Sequence, residues 1–585
     1  MNEALIPPTR PLGSKSASSD YNKVSSPGRN ILKLLRRVRR RRLCTQMAPI
    51  VEVCPTFSWQ QITSWIVVQA LQSCYRPLNW LGFIIEWTIN FFYLNGGLFR
   101  MLIKLLTFQW GRIILPDPTA DNFLSCVGAL DPRCDLYVDT SRPDKASSTR
   151  ADALVFPDEN VSSRSTADVC VMAAKLAYEN PAVVKRVVKD IWMMNFVKFY
   201  ECWNEHQQMV NTQAFIFTDK PKDANAVVVA FRGTEAFNAY DWSTDLDFAW
   251  VKLDRLGGVH LGFLEALGLV SRKHRGTIEK LNTNANASSN ETKSHEQAEA
   301  NANGHIFTPH RKTREEIENA PATSGLAQDI IDDPAKELAY DAITKQVGLI
   351  LKDNPRAKLF ITGHSLGGAL ASLYATMLHY TGQTEIASKI GAVYTFGQPL
   401  VGDQDFVNYA NSKLKGKFFR VVYCNDVVPR VPFDDIVMAY KHIGDCNYFN
   451  SVYDGVTVQE EPNRNFFGIA KIITMHLNAV WEIVQGLFLI TLQYGKQFSE
   501  STMCLLFRML GLAFPGVAAH NPCNYVNAVR LGPFPLRERI LGDIADISEE
   551  IAMMNDNMKD ILYCISQVFF GKSVRPLGSK QLFSS

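Results

Sequence analysis

Three absences narrow the reading of this 585-residue chain before any motif is considered. Its 12 cysteines contain no CxxC pair and no finger-like spacing, so neither a zinc framework nor a disulfide scaffold is indicated and a reducing compartment fits. Neither sign of charge is in excess: 61 Lys and Arg against 58 Asp and Glu leave +3, too little to argue for a nucleic-acid partner. No apolar core follows the polar, Ser-rich start, which excludes an ordinary secretory signal. No His/Cys/carboxylate cluster with ligand spacing stands out, so no metal or other cofactor is expected.

What is present is unevenly distributed. Residues 1–45 read as a disordered, basic segment, with eight Lys and Arg between Arg29 and Arg42 interleaved with Ile31, Leu32, Leu34 and Leu35. That pattern suits contact with anionic lipid headgroups better than a nuclear-import patch, and a plastid or mitochondrial transit peptide is the less favoured reading. Residues 46–115 are apolar and Trp-rich. A spanning helix needs about 20 apolar residues. The stretch 77–94 is borderline, and Glu86 is costly in a bilayer centre. A helix–break–helix pair lying on one leaflet or on a lipid droplet, with the break at Asn95-Gly96-Gly97, meets both objections; a helical domain packed on the rest of the chain is the alternative.

Residues 116–166 read as a linker, and a globular domain is expected over 167–535. Within it, 211–218 and the β-branched run 226–234 read as a hairpin. Residues 275–335 read as a disordered, polar insertion, 460–515 as an apolar insertion, and 536–585 as a charged helical tail. Helix 336–352, the nucleophile strand it feeds from Leu359 onward, and strands 390–396 and 417–423 with a helix between them imply a mostly parallel sheet.

The most informative segment is Leu359 to Leu370. An apolar strand enters a Gly-His-Ser-Leu-Gly turn and a small-residue helix leaves it, the arrangement of a nucleophile elbow. Ser365 is then the nucleophile, with Leu366 N–H at the helix start as one oxyanion donor. Thr234, ending the strand that closes with Phe231-Arg232-Gly233, can offer a second. Arg232 itself is expected in a strand-end salt bridge. A serine of this kind needs an acid and then a histidine later in the chain. Asp426, just past strand 417–423, suits the acid better than Asp434 or Asp435. His442, His476 and His520 satisfy the order. His520 is preferred because it lies in a loop, whereas His442 follows Asp426 closely and His476 sits in an apolar run.

These residues, together with FRGT at 231–234, VHLGF at 259–263, ITGHSLGGALA at 361–371, TFGQPLVGD at 395–403 and NDVVPRVP at 425–432, resemble the fungal-type class 3 lipase family. The apolar N-terminal region, YKHIG at 440–444 and the long insert before the last histidine resemble its plant oil-body lipases. The resemblance implies an α/β-hydrolase fold with a mostly parallel sheet, here preceded by an apolar helical anchoring region. It implies Ser365, Asp426 and His520 as a triad and Thr234 with Leu366 as the oxyanion hole. It also implies a lid over 235–250 with Trp242 and Phe248 as apolar contacts, and a non-catalytic His442. The expected activity is hydrolysis of long-chain acylglycerol esters through an acyl-enzyme at a lipid-droplet or membrane surface, reached through residues 46–115 and the basic run 29–42. Phospholipase A1 or galactolipase activity is the nearest alternative, and a non-catalytic droplet scaffold is the alternative from another class. Nothing in the sequence sets the oligomeric state.

Overall fold

The computed structural model describes residues 59–137, 163–235, 249–272, 276–287, 337–432, 440–462, 469–489, 498–533 and 537–538, with 156, 238, 241, 244, 247 and 274 as single positions. The chain enters as a long helix α1 (Trp59–Leu94). Gly96 and Gly97, at φ 81° and 88°, turn the backbone as only glycine does without strain, and α2 (Gly97–Leu106) follows. Pro77 lies inside α1, which is one continuous helix. Among the described residues, no helix is long and apolar enough to cross a membrane.

The polar residues that interrupt this apolar stretch have a structural task. Asn90 Nδ2 donates to Leu124 O at 2.8 Å while Leu124 N–H donates back to Asn90 Oδ1 at 2.9 Å. Asn95 makes the same reciprocal pair with Ile114, at 2.8 and 3.0 Å. Glu86 Oε1 accepts from Cys126 N–H at 2.8 Å, at the start of α3 (Cys126–Leu130). Each amide imitates a strand partner and ties the returning chain to the helix. The start of the expected linker is therefore packed structure. Phe123, Ala129 and Leu136 are buried, and Lys175 reaches Asp131 at 3.4 Å.

Helix α4 (Arg164–Leu176), capped by Ser163, opens the globular part. Strands β1 (Asn195–Asn204) and β2 (Met209–Thr218) pair antiparallel, and β2 pairs antiparallel with β3 (Ala226–Phe231) with Ala214 opposite Phe231. Strands β4 (Trp250–Leu253) and β5 (Gly257–His260) form a separate hairpin. The insertion starts later than composition implied, because 276–287 is helical with Leu281 and Ala285 fully buried. Helix α5 (Ala339–Asp353) leads into β6 (Lys358–His364), α6 (Leu366–Tyr380), β7 (Ile390–Phe396), α7 (Gln404–Leu414) and β8 (Phe418–Tyr423). Strands β9 (Cys446–Phe449), β10 (Gly455–Val458) and β11 (Arg537–Glu538) complete a sheet ordered β1-β2-β3-β6-β7-β8-β9-β10-β11.

Its centre, β3-β6-β7-β8-β9, is parallel, and β3, β6 and β7 are buried almost end to end. One apolar layer, with Val229, Ile361 and Leu373, covers one face. Another, with Val171, Phe360 and Val529, covers the other. Parallel strands covered on both faces need such unbroken apolar runs. Helices α8 (Ile469–Val484), α9 (Thr502–Leu510), α10 (Pro515–Ala519) and α11 (Pro522–Leu531) lie between β10 and β11. Residues 1–58 and 539–585, with the basic run and nearly all of the tail, lie outside the described residues, as does most of the polar insertion.

Candidate active site

Ser365 joins β6 to α6 with φ 59° and ψ −133°, a backbone conformation that a non-glycine residue holds only when its surroundings impose it. The glycines around it are required by contact. A Cβ on Gly363 would sit 2.1 Å from Gly367 O, and one on Gly367 would sit 2.3 Å from Phe231 O. Ser365 N–H donates to Phe396 O at 2.9 Å, which fixes the turn on the end of β7. Leu366 is the first residue of α6, so its N–H has no acceptor within the helix and stands at the positive end of the helix dipole.

Past the end of β8, Cys424 (φ 41°) turns the chain and delivers Asp426, which is fully buried. Asp426 Oδ1 accepts from Val428 N–H at 2.8 Å. Its Oδ2 is shared: His520 Nδ1 lies 2.6 Å away and Tyr525 O–H donates to the same atom. A proton on Nδ1 is thereby held toward the carboxylate, leaving Nε2 as the basic nitrogen. Nε2 is buried and has no hydrogen-bond partner among the described residues. Asp426 and His520, 94 positions apart, are thus brought together. Ser365 and His520 flank the same corner. Gly397, at φ 60° and next to Phe396, lies so close to the imidazole that a Cβ there would be 2.8 Å from His520 Cε1.

The histidine inside the elbow has its own place. Chain order excludes His364 as the base, and its ring is buried, with burial holding it well below the usual imidazole range. His364 Nε2 lies 3.1 Å from His520 O, and Nδ1 lies 2.9 Å from Tyr178 Oη. A carbonyl only accepts, so Nε2 carries the proton and Nδ1 accepts from the tyrosine. Tyr178 also touches the turn before Thr234: a Cβ on Gly233 would meet Tyr178 Oη at 2.0 Å and His364 O at 2.4 Å. Thr234, largely buried, is held against the elbow in this way.

Arg232 is fully engaged in the strand-end clamp expected of it. Nη2 pairs with Asp241 at 3.2 Å and donates to Asn211 O at 3.1 Å, and Nη1 pairs with Glu235. Burial pushes the Asp241 carboxyl up to about 6, against the pull of Arg232. Trp242 and Phe248 lie outside the described residues, as do Asp434 and Asp435. Asp247, in the same span, pairs with Arg272 at 2.5 Å.

His442, His476, His206 and His260 are placed elsewhere. The His442 side chain is 8% exposed, with Nε2 2.7 Å from Pro429 O and 3.5 Å from Glu461. His476 Nδ1 faces Ile472 O within α8. His206 sits beside Glu265 and Asp247, and burial pushes His260 down to about 3 as it stacks on Phe263. Glu500, Cys504 and Cys523 bring ligand-type atoms within 4.8 Å, yet Arg508 occupies both Glu500 oxygens, at 2.6 and 2.5 Å. That trio is an ion-pair corner, not a cation site.

Sequence reasoning did not assign Tyr178, His364, Gly397 or Tyr525 a place in the site. Gly397 was the most visible, as a glycine directly after a buried strand in the TFGQP motif. The tyrosines gave no signal, because their partners lie far away in sequence.

A mostly parallel sheet with a strained serine between strand and helix, and an Asp–His pair delivered from later loops, defines an α/β-hydrolase. Residues 292–436 match the family model described as Lipase (class 3). The chain is 36% identical over 492 residues to Triacylglycerol lipase OBL1 of Nicotiana tabacum, covering 82% of this chain and 84% of the relative. With Triacylglycerol lipase OBL1 of Ricinus communis it shares 39% identity over 478 residues, 80% of this chain and 85% of the relative. It belongs to the class 3 lipase family. The solved Rhizomucor miehei lipase propeptide complex aligns over 44% of this chain and 57% of its own at 21% identity and a TM-score of 0.27, too distant to bear on the assignment.

Proposed function

We propose that this chain hydrolyses triacylglycerol esters by a serine acyl-enzyme route at the surface of a lipid droplet. The observation that carries the chemistry is the Asp426–His520 contact at 2.6 Å, with a buried, unpartnered Nε2 beside the Ser365 corner. In this mechanism His520 Nε2 takes the Ser365 hydroxyl proton as Oγ attacks the ester carbonyl. Asp426 orients the imidazole and stabilises its cation. The N–H groups of Leu366 and Thr234 receive the oxyanion. The protonated His520 then gives its proton to the leaving glycerol oxygen. Water, deprotonated by the same nitrogen, cleaves the acyl-serine and returns the enzyme. No step requires a metal or redox group.

The substrate class rests on the two relatives named triacylglycerol lipase, each matched over most of its length. Location at a droplet surface draws on the large apolar side chains left exposed along α1 and α2, among them Trp80, Phe83, Phe99 and Leu106. A helix pair with such a face, and too polar to span, suits one leaflet or a phospholipid monolayer over oil. The basic run 29–42 would add attraction to anionic headgroups.

The test is fatty-acid release from a triacylglycerol emulsion and from phospholipid and galactolipid vesicles, with Ser365→Ala as the blank. Serine-dependent release mainly from the emulsion is expected. Release mainly from vesicles would replace the substrate class, and no release from either would return the chain to a scaffold role.

A further inference from the structure

The α8–α9 insertion is apolar on its outer face as well as within, where Met475, Ala479 and Trp481 are buried. Its ionic groups are turned inward: Glu482 and Arg508 are 4% and 1% exposed, and Arg508 Nη1 meets Glu482 Oε2 at 3.1 Å. Arg508 also grips Glu500 and donates to Asn524 Oδ1 at 2.8 Å, so all its charge is spent within the protein. The outer face carries Ile473, Leu477, Leu506, Met509 and Phe514, with exposures of 41–62%. Across 472–487 and 501–517 the charged residues are Glu482 and Arg508, so no charged side chain reaches that surface. A water-facing helix buries one apolar stripe and exposes charge; α8 buries Met475, Ala479 and Trp481 and also exposes Ile473, Leu477 and Val480. Ionisable groups turned inward and paired with one another, under an apolar exterior, are the pattern of helices in contact with lipid.

We propose that this face is a second lipid-contacting surface, separate from α1 and α2, which seats the mouth of the active site on a phospholipid-coated acylglycerol droplet. The inference rests on the lipase reading and deepens it by naming how the site meets its substrate. Two observations select lipid over a protein partner. A protein interface carries a polar rim, and among the described side chains of 472–487 and 501–517 no charge is exposed. The face is also continuous with the candidate site. Gly516 O accepts from Val427 N–H at 3.2 Å, next to Asp426, and exposed Val517 stands three residues before His520. The insertion is braced as well: Ser501 Oγ lies 2.9 and 2.8 Å from Ala129 O and Leu130 O in α3, whose first N–H is held by Glu86 of α1. An ester leaving the oil at this face needs little travel through water to reach Ser365.

The experiment compares the full-length chain with Leu506→Glu/Met509→Glu and with a control pair of equal charge on an exposed, distant helix, Asn408→Glu/Ser412→Glu. All are measured in the Ser365→Ala background for partition onto phosphatidylcholine-coated triolein emulsion, so binding is read without turnover. The active forms are assayed on a soluble short-chain ester, which reports an intact fold. Partition of the Leu506/Met509 pair should fall at least about tenfold, and that of the control by less than about twofold. Equal partition of the two pairs would overturn the proposal. So would a lipid-free dimer of the unmodified chain that the Leu506/Met509 pair dissolves, which would make the face a self-contact. Intact partition without Ser365-dependent triolein hydrolysis would sink the lipase reading instead and leave this surface standing.

Discussion

His364 Nε2 donates to the main-chain oxygen of His520 at 3.1 Å, so the histidine inside the nucleophile turn holds the backbone of the proposed general base. Nucleophile and base are therefore not positioned independently. The strand that ends in Ser365 also fixes the loop that presents His520, and Tyr178 Oη completes the line at 2.9 Å from His364 Nδ1. His364 acts through His520, as a positioning residue.

His364→Ala should lower kcat on a soluble ester about 10- to 100-fold with KM little changed, because a displacement near 1 Å at the reacting atoms has that effect. Tyr178→Phe leaves His364 Nδ1 without its donor and should give a smaller loss in the same direction. A melting temperature that falls in parallel with kcat while the active fraction keeps its full turnover would mean that His364 serves stability alone.

Gly397 offers a sharper test, since its φ of 60° and its closeness to the imidazole both exclude a side chain. Gly397→Ala places a methyl 2.8 Å from His520 Cε1 and Tyr525 Oη, so the ring must move away from Asp426. A loss of kcat of about 100-fold is expected, with at most about 1–2 kcal/mol of stability lost to the left-handed backbone. Retention of more than half the activity would show that the corner can open without moving the base.

Much of this site was legible in the sequence because its signals are local. Gly363-x-Ser365-x-Gly367 encodes a backbone shape, and Asp426 and His520 stand in loops whose order along the chain follows the fold. The supporting atoms were not legible. Tyr525 reaches Asp426 across 99 positions, and Tyr178 reaches His364 across 186. No periodicity records such contacts. The asparagines of the N-terminal apolar stretch misled for a related reason. Composition registers Asn90 and Asn95 as interruptions of a lipid-facing run, whereas their amides are spent on backbone 34 and 19 positions away. Likewise Leu281 and Ala285 lie in polar surroundings that hide a buried helical face.

The Asn95 clamp can be measured directly. Asn95→Ala leaves Ile114 N–H and C=O without their partners and also removes one of the two acceptors of Lys104 Nζ, at 3.0 Å, the other being Arg112 O. A loss of about 2 kcal/mol is expected, together with faster amide exchange at Ile114 and its neighbours. Unchanged exchange there would mean that the returning segment is held by its apolar contacts instead.

Glu179 makes stability depend on pH in a direction opposite to most surface carboxylates. Burial lifts its carboxyl to about 7 from a usual 4.5, although Ser125 N–H and Oγ donate to its two oxygens at 2.9 and 2.8 Å. Between those two values the folded chain keeps a proton that the unfolded chain has released. The associated stability is complete below 4.5, is lost as pH rises toward 7, and amounts to about 3 kcal/mol. Glu179→Gln does not titrate, and its amide can still accept from Ser125 N–H while donating to Ser125 Oγ. The variant should gain on the parent chain as pH is raised from 4.5 to 8, read as the difference between their unfolding free energies in denaturant. A difference constant across that range would mean that Glu179 ionises as freely inside the protein as in water, and that water reaches the junction between α3 and α4.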